Sequence, residues 1–324
     1  MGLNKLTKKP YLSIGIIGAG YMAEEHIKAF QALDNVKING IYSRTYSKTE
    51  HLANKYKIQF RCRSVEDLYI KSRPDIVVVA ITETAVEDLV NEIVHYPWVV
   101  FFEKPVGLNY EQSKRICNKI NSFGVRAIVA LNRRFYGSTR QIIRDLDASQ
   151  GTRLIQVNDY ESLSVAKSFH YHEDMINNWM YANSIHLIDY FCFLGRGKIN
   201  KINVVQKWNQ KHLMPVIAQI IYESGDQGIY QGIWHGPGPW SVSVITTCDY
   251  FEMRPLERLA RVTSQERTPS HYPQMEADLV FKPGLYEQAK SAVAFALNQP
   301  SLSISLAEYL ITVKLVHDIY QHME

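Results

Sequence analysis

Cysteine is scarce in this 324-residue chain: Cys62, Cys117, Cys192 and Cys248 stand far apart and form no C-x-x-C pair. That excludes a disulfide-stapled secreted scaffold and a cysteine zinc knuckle, and reads as reduced, mostly core thiols. No apolar run approaches the roughly 20 residues a membrane span needs. Neither sign of charge dominates, since 36 Lys and Arg against 32 Asp and Glu leave a formal +4. So small and dispersed an excess excludes nucleic acid as the main partner. Repeats and low-complexity tracts are missing too. The basic stretch NKLTKKP leads into a strand instead of a signal-peptide core, and Leu6 stands where an acylation signal needs Ser or Thr. A cytoplasmic protein without membrane attachment is the expectation. With 46% hydrophobic residues, the chain suffices for a sizeable core in two domains or one large one.

What is present begins with IGIIGAGYMAEEHIKAF, Ile14 to Phe30. Ile14, Ile16 and Ile17 read as a buried parallel strand. Gly18 and Gly20 break it, and Met22, Ala23, Ile27, Ala29 and Phe30 then recur at helical spacing. In a strand, glycine turn and helix of this kind the first glycine makes the bend. The second lets backbone approach a pyrophosphate, and the small third position, Ala23, lets helix pack on strand. Gly18, Ala19, Gly20, Tyr21 and Met22 would then meet the phosphates at a helix N-terminus. An ordinary tight turn remains the alternative for this motif alone.

Strands and helices keep alternating through VKINGIYSR, SKTEHLANKY, VEDLYIKS, DIVVVAI, AVEDLVNEIVHY, WVVFFEKP, NYEQSKRICNKINSFG and VRAIVAL. Repeated units of this kind predict a doubly wound parallel sheet, with its ligand at the carboxyl ends of the strands. Past residue 131 the runs RLIQVNDYESL, KINVVQKW, MPVIAQIIYES, QGIYQGIWH and WSVSVITTCDYFEM alternate, and predict a mostly antiparallel sheet. We therefore expect a dinucleotide-binding Rossmann domain over 1–131 and a substrate-binding and oligomerisation α+β domain over 132–324. Two late amphipathic helices should pack across the second sheet or back onto the first domain.

The glycine turn, FFEKPVGLN at 101–109, NRRF at 132–135, NSIHLIDYF at 183–191 and FKPGLYEQAKSAV together resemble the glucose-fructose oxidoreductase/inositol dehydrogenase (Gfo/Idh/MocA) family. The resemblance implies a Rossmann domain followed by an open-faced antiparallel sheet that often mediates oligomers. It also implies hydride transfer between nicotinamide and a hydroxyl or keto carbon, usually of a sugar, inositol or nucleotide sugar. A place in surface polysaccharide synthesis rests on the resemblance alone. The family often has the peptide after its Glu-Lys lysine in the cis form.

NAD-selective sites usually end the second strand with Asp or Glu, which repels a 2′-phosphate. Here the strand ends in IYSRTYSK. Ser43 and Thr45 offer hydroxyls, Arg44 a planar cation and Lys48 a second charge. NADP(H) is expected over NAD(H), a solvated basic loop being the alternative. Ile81 and Thr82, which follow the third core strand, and Glu103 and Lys104 are expected to complete the cofactor cleft. Lys104, fixed before a proline, and His186, with a side-chain pKa ordinarily near neutrality, are the expected catalytic pair. Lys104, Arg133, Tyr171, Trp179, Asn183 and His186 are expected to meet substrate, with Arg133 and Arg134 suited to a phosphate or carboxylate.

The family pattern departs at Ala182, where many members place an Asp one turn before the histidine. That leaves two other readings: a non-catalytic nicotinamide-binding sensor, and a glycosidase or lyase with tightly bound nicotinamide. His170, His172 and Asp174 suggest a metal only weakly, and no metal is expected. Trp234, Trp240 and Tyr230 are expected to anchor a homodimer or homotetramer through an exposed aromatic sheet face.

Overall fold

The computed structural model describes residues 11–147, 149, 151–168, 172–209 and 214–320. Tyr171 and His170 lie outside these. The described chain forms two compact units that interleave in sequence, so no single cut separates them. The first comprises 1–103, 118–130 and 285–304, and the second 104–117, 131–284 and 305–324.

In the first unit, β1 (Leu12–Ile17), β2 (Val36–Tyr42), β3 (Phe60–Cys62), β4 (Ile76–Val79), β5 (Val99–Glu103) and β6 (Ala127–Ala130) form a sheet. The short edge strand Ile304–Ser305 makes a seventh beside β6; from there the order is β6-β5-β4-β1-β2-β3, and every pair among these six is parallel. Central β1 is buried from Ser13 to Ile17, as a strand with helices on both faces must be. Connections after β1 and after β4 lead toward opposite edges. Strand order therefore reverses beside β1, and the crevice at its carboxyl end is the ligand position of such sheets. The ends are tied there: Gly18 N–H donates to Tyr42 O at 2.8 Å, and Ala80 N–H to Ile17 O at 2.8 Å. Late helix Leu285–Ala296 returns to this unit. Leu285, Ala289 and Ala292 join Ile27 and Phe30 of helix Tyr21–Gln31 in one buried cluster, an apolar side chain contributing roughly 1.5–3 kcal/mol when fully buried.

The second unit holds an eight-stranded sheet: β7 (Leu154–Tyr160), β8 (Ile199–Gln206), β9 (Val216–Tyr222), β10 (Gln227–Ile233), β11 (Ser241–Ile245), β12 (Asp249–Met253), β13 (Leu259–Thr263) and β14 (Ser270–His271). The order is β14-β13-β12-β11-β7-β10-β9-β8. All neighbours are antiparallel except β7 and β10, which are parallel. WSVSVITTCDYFEM is two strands, because Thr246 accepts Asp249 N–H on its hydroxyl at 3.0 Å and turns the chain into a hairpin. The expected pocket loop before Trp179 is likewise folded in part, as helices Leu163–Ser168 and Glu173–Asn177.

One sheet face is covered by helices Ile185–Leu194 and Leu306–Tyr320. The aromatic anchors expected on the open face are corrected by this packing. Tyr230 (0% exposed) and Trp234 (2%) are buried in the monomer. Tyr230 has the inward parity of β10 and meets Tyr320 of the covering helix, hydroxyl to hydroxyl at 2.8 Å. Trp234 Nε1 donates to the same Tyr320 oxygen at 3.2 Å and its ring packs on Trp208. Trp240 is half-buried, with Nε1 donating to Tyr160 O at 2.9 Å. Over β9 and β10 the open face presents amides and isoleucines. In β9 and β10, Ile217, Gln219 and Ile221 stand opposite Gln231, Ile229 and Gln227. Gln219 Nε2 donates to Gln227 Oε1 at 3.1 Å, and Asn203 Nδ2 to Gln219 Oε1 at 3.2 Å.

Candidate functional site

The first unit supplies a cradle at the carboxyl end of β1. Gly18 sits at φ +120°, and a Cβ there would stand 1.9 Å from Ala80 O. Glycine is thus compulsory for the bend itself. Gly20 differs. Its φ of −93° suits any residue, and an added Cβ would meet nothing within 4 Å. Nothing in the chain requires a glycine there, so its missing side chain leaves room for something outside the chain. Gly20 also caps helix Tyr21–Gln31 without a side-chain bond, leaving first-turn N–H groups for an anion. A cavity of about 490 Å³ adjoins it, lined by Ala19, Gly20, Tyr21, Lys48 and His51 among others. Arg44 and Lys48 are exposed, with Arg44 Nη2 3.4 Å from Thr82 Oγ1. Ser43 Oγ is bonded to Thr49 Oγ1 at 2.8 Å and donates to Thr45 O at 2.9 Å. Met22 and Ile81 are half-buried. These residues fit a dinucleotide: an open backbone approach, a helix N-terminus, and cations where the second strand ends.

Glu103 closes β5, and its Oε1 is 2.8 Å from Nε2 of His26, which is buried in the helix behind the glycine turn. Glu103 is thus held by the first unit, while the next residue begins the second. His26 was missed in the sequence because a histidine amid Ala23, Ile27 and Phe30 looks like core filling.

In the second unit the Lys104–Pro105 peptide is cis, and Lys104 Nζ donates to Ala182 O at 2.5 Å. Ala182 belongs to a widened π-type turn, Met180–Ser184, that runs directly into helix Ile185–Leu194. Such turns recur at functional sites, and nothing in the sequence marks this one. His186 in the first helical turn is 7% exposed, and its buried Nδ1 has no hydrogen-bond partner. Burial holds the imidazole well below its ordinary pKa, and the charges of Lys104, Arg133 and Lys282 lower it further. It is therefore neutral at neutral pH. Arg133 is itself buried, packs its guanidinium 4.3 Å from the Trp240 ring centre, and has no partner for Nη1.

Arg134 is not available to a ligand, which corrects its expected role. Its Nε and Nη2 donate to the two carboxylate oxygens of Asp189 at 2.7 Å each, and Thr312 Oγ1 donates to the same carboxylate at 2.6 Å. Trp179 and Asn183 turn their donors toward Glu161: Trp179 Nε1 to Oε2 at 2.8 Å, and Asn183 Nδ2 to both carboxyl oxygens at 2.9 Å. Exposed His172 pairs with Asp174 at 3.3 Å. Among the described residues no three His, Cys, Asp or Glu gather as metal ligands.

Residues 12–131 match the model of the oxidoreductase family GFO_IDH_MocA, with its NAD-binding Rossmann fold. An uncharacterized oxidoreductase, YrbE of Bacillus subtilis (strain 168), is 28% identical over 123 residues, 37% of this chain and 36% of that protein's length. The match thus spans about a third of that relative. Solved structures share the fold over nearly the whole chain. A dehydrogenase from Chromobacterium violaceum superposes with a TM-score of 0.82 at 15% identity, covering 95% of this chain and 94% of its own. UDP-N-acetylglucosamine 3-dehydrogenase GnnA from Acidithiobacillus ferrooxidans does so with 0.77 at 12% identity, over 97% and 98%.

The two glycines separate folding from binding. Gly18→Ala is expected to cost at least the roughly 1–3 kcal/mol of a strained backbone position. Gly20→Ala should leave the unfolding midpoint near wild type yet weaken dinucleotide binding several-fold. Chemical denaturation and cofactor titration of both variants check this; equal stability losses would contradict the assignment.

Proposed function

From a chain whose residues 12–131 match the Gfo/Idh/MocA oxidoreductase family model, we propose an NADP(H)-dependent enzyme that interconverts a hydroxyl and a ketone on an acidic carbohydrate, a nucleotide sugar being the foremost class. The carrying observation is a neutral, buried His186 among three cations, Lys104, Arg133 and Lys282. So positive a pocket favours a substrate with a phosphate or carboxylate, and the unpartnered Arg133 Nη1 suits such a group.

The bound nicotinamide supplies the hydride acceptor or donor. Gly18 to Met22 would hold the pyrophosphate, Ser43, Arg44, Thr45 and Lys48 the ribose and its 2′-phosphate, and Ile81, Thr82, Glu103 and Lys104 would complete the cleft. His186, neutral at rest, accepts the proton of a substrate hydroxyl during oxidation and returns it during reduction. Lys104, steadied by the Ala182 carbonyl, stabilises the negative charge developing on that oxygen. Asn183 and Trp179 would flank the substrate; Tyr171 lies outside the described residues. The reading is cytoplasmic and independent of nucleic acid or membrane; no helix among the described residues is long and apolar enough to cross a membrane.

Arg44→Ala should lose a charge-assisted contact of about 1.5–3 kcal/mol, hence roughly tenfold to a hundredfold in NADPH affinity, with little change for NADH. Titrating both cofactors into both proteins checks it, and equal losses would refute the preference.

Lys104→Met and His186→Ala should each lower turnover by about 10²–10⁴ while NADPH affinity stays within a few-fold. A panel of sugars, sugar acids and nucleotide sugars, followed by the absorbance of reduced nicotinamide, identifies the substrate. Wild-type turnover in both variants would overturn the mechanism.

The amides and isoleucines that β9 and β10 present on the open face of the second sheet are the surface on which a second copy would pair, giving a homodimer or homotetramer. Light scattering at micromolar concentration should return a multiple of the 37.3 kDa chain mass; a monomer would contradict this.

A further inference from the structure

On the covered face of the second sheet two carboxyl groups lie side by side where strand alternation would place apolar residues. Asp159 (0% exposed) ends the inward series Ile155, Val157, Asp159 of β7, and Glu161 (4%) follows two residues on. Their charges act on each other, and an ionised Asp159 disfavours a second carboxylate at Glu161. Two adjacent buried carboxylates cannot both ionise cheaply, so one proton between them relieves the repulsion.

Their surroundings are full of donors but short of charge. Asp159 Oδ2 accepts from Tyr230 at 2.7 Å, which is in turn bonded to Tyr320, while Oδ1 is buried without a hydrogen-bond partner. The Ser184 hydroxyl of the π-type turn lies beside it, and the charge of Arg133 favours its ionised form. Glu161 accepts the Trp179 indole and the Asn183 amide. These two side chains flank Ala182, whose carbonyl holds Lys104.

We propose that Asp159 and Glu161 share a single proton at neutral pH and act as a positioning pair that fixes Trp179 and Asn183 on either side of Ala182. The pair thereby does from the sheet what a carboxylate at 182 would do from the helix. Its bearing on catalysis rests on the oxidoreductase reading above, but the shared proton does not. Burial, then the neighbouring Asp159, pushes Glu161 up to about 9, and burial raises Asp159 as well. The sign follows by linkage. Folded protein holds a proton that the unfolded chain releases above the ordinary Glu range, so this contribution is full at acid pH and is lost as pH rises toward 9.

The experiment needs no substrate. In proton–nitrogen spectra of the full chain, with the Trp179 indole assigned through Trp179→Phe, the wild-type indole signal should move with pH in the alkaline range. Glu161→Gln should abolish that titration. Asp159→Asn should shift its midpoint toward acid by removing the competing charge. Glu161→Ala should lose the exchange protection of the Trp179 indole and Asn183 amide, and Glu161→Gln should restore it. The unfolding midpoint of wild type should fall by several degrees relative to Glu161→Gln between about pH 5 and pH 9, which reads the pair even where Glu161→Ala fails to fold. An indole signal that titrates in the ordinary carboxylate range, or parallel stability profiles, would overturn the shared proton. Unchanged protection in Glu161→Ala would overturn the positioning role. Turnover in the substrate panel is independent of these results, so either reading can fail without the other.

Discussion

Lys104 donates to a peptide carbonyl, and the electrostatics around His186 follow from that choice of acceptor. A carboxylate side chain at residue 182 would stand as an opposite charge beside the ammonium, an interaction of about 4 kcal/mol at 4 Å with an effective dielectric of 20. It would cancel much of the lysine's field at the imidazole. The Ala182 carbonyl holds Nζ in place but carries only a dipole. The charge of Lys104 acts on His186, together with those of Arg133 and Lys282. Position and charge compensation, which one Asp would supply together, are here supplied separately.

The second sheet bears the consequence. Its covered face accepts charge that burial penalises by several kcal/mol per unpaired ion, and it does so with tyrosine hydroxyls and protons more than with counter-ions. Tyr230, Tyr320 and Trp234 form a bonded chain that ends on Asp159. Tyr230 and Trp234 are among the aromatics that make the sheet look like an interface when read as letters. Tyr320 reaches Tyr230 from the far end of the chain, so the network exists only once the last helix is seated.

Much of this was legible beforehand. The glycine turn, the alternating units and the switch in pattern near residue 131 follow from periodicities of 3.6 and 2, which local sterics and burial impose. Lys104 and His186 came from the resemblance and stand in one unit. What was hidden shares a cause: it depends on pairings distant in sequence. Arg134 reads as a free cation until Asp189 is found against it. The π-type turn at 180–184 has no composition of its own. One signal was available and unused: in RLIQVNDYE the inward positions run Ile155, Val157, Asp159, then Glu161 beyond the strand, and charged residues in the core-facing register need a reason.

Under the proposed reading the pocket's charge also settles when His186 can act. Burial and three cations keep the imidazole neutral at rest, so it is available as a base but holds a captured proton weakly. An acidic substrate group seated against Arg133 would bring a further negative charge. Opposite charge favours the protonated form of a histidine, so the proton affinity of His186 would rise toward the neutral range as substrate arrives. Lys104 would keep its hold on the Ala182 carbonyl throughout, since that acceptor does not titrate. The base is then tuned by the substrate's own charge, a division of labour that an aspartate at position 182 would have made unnecessary.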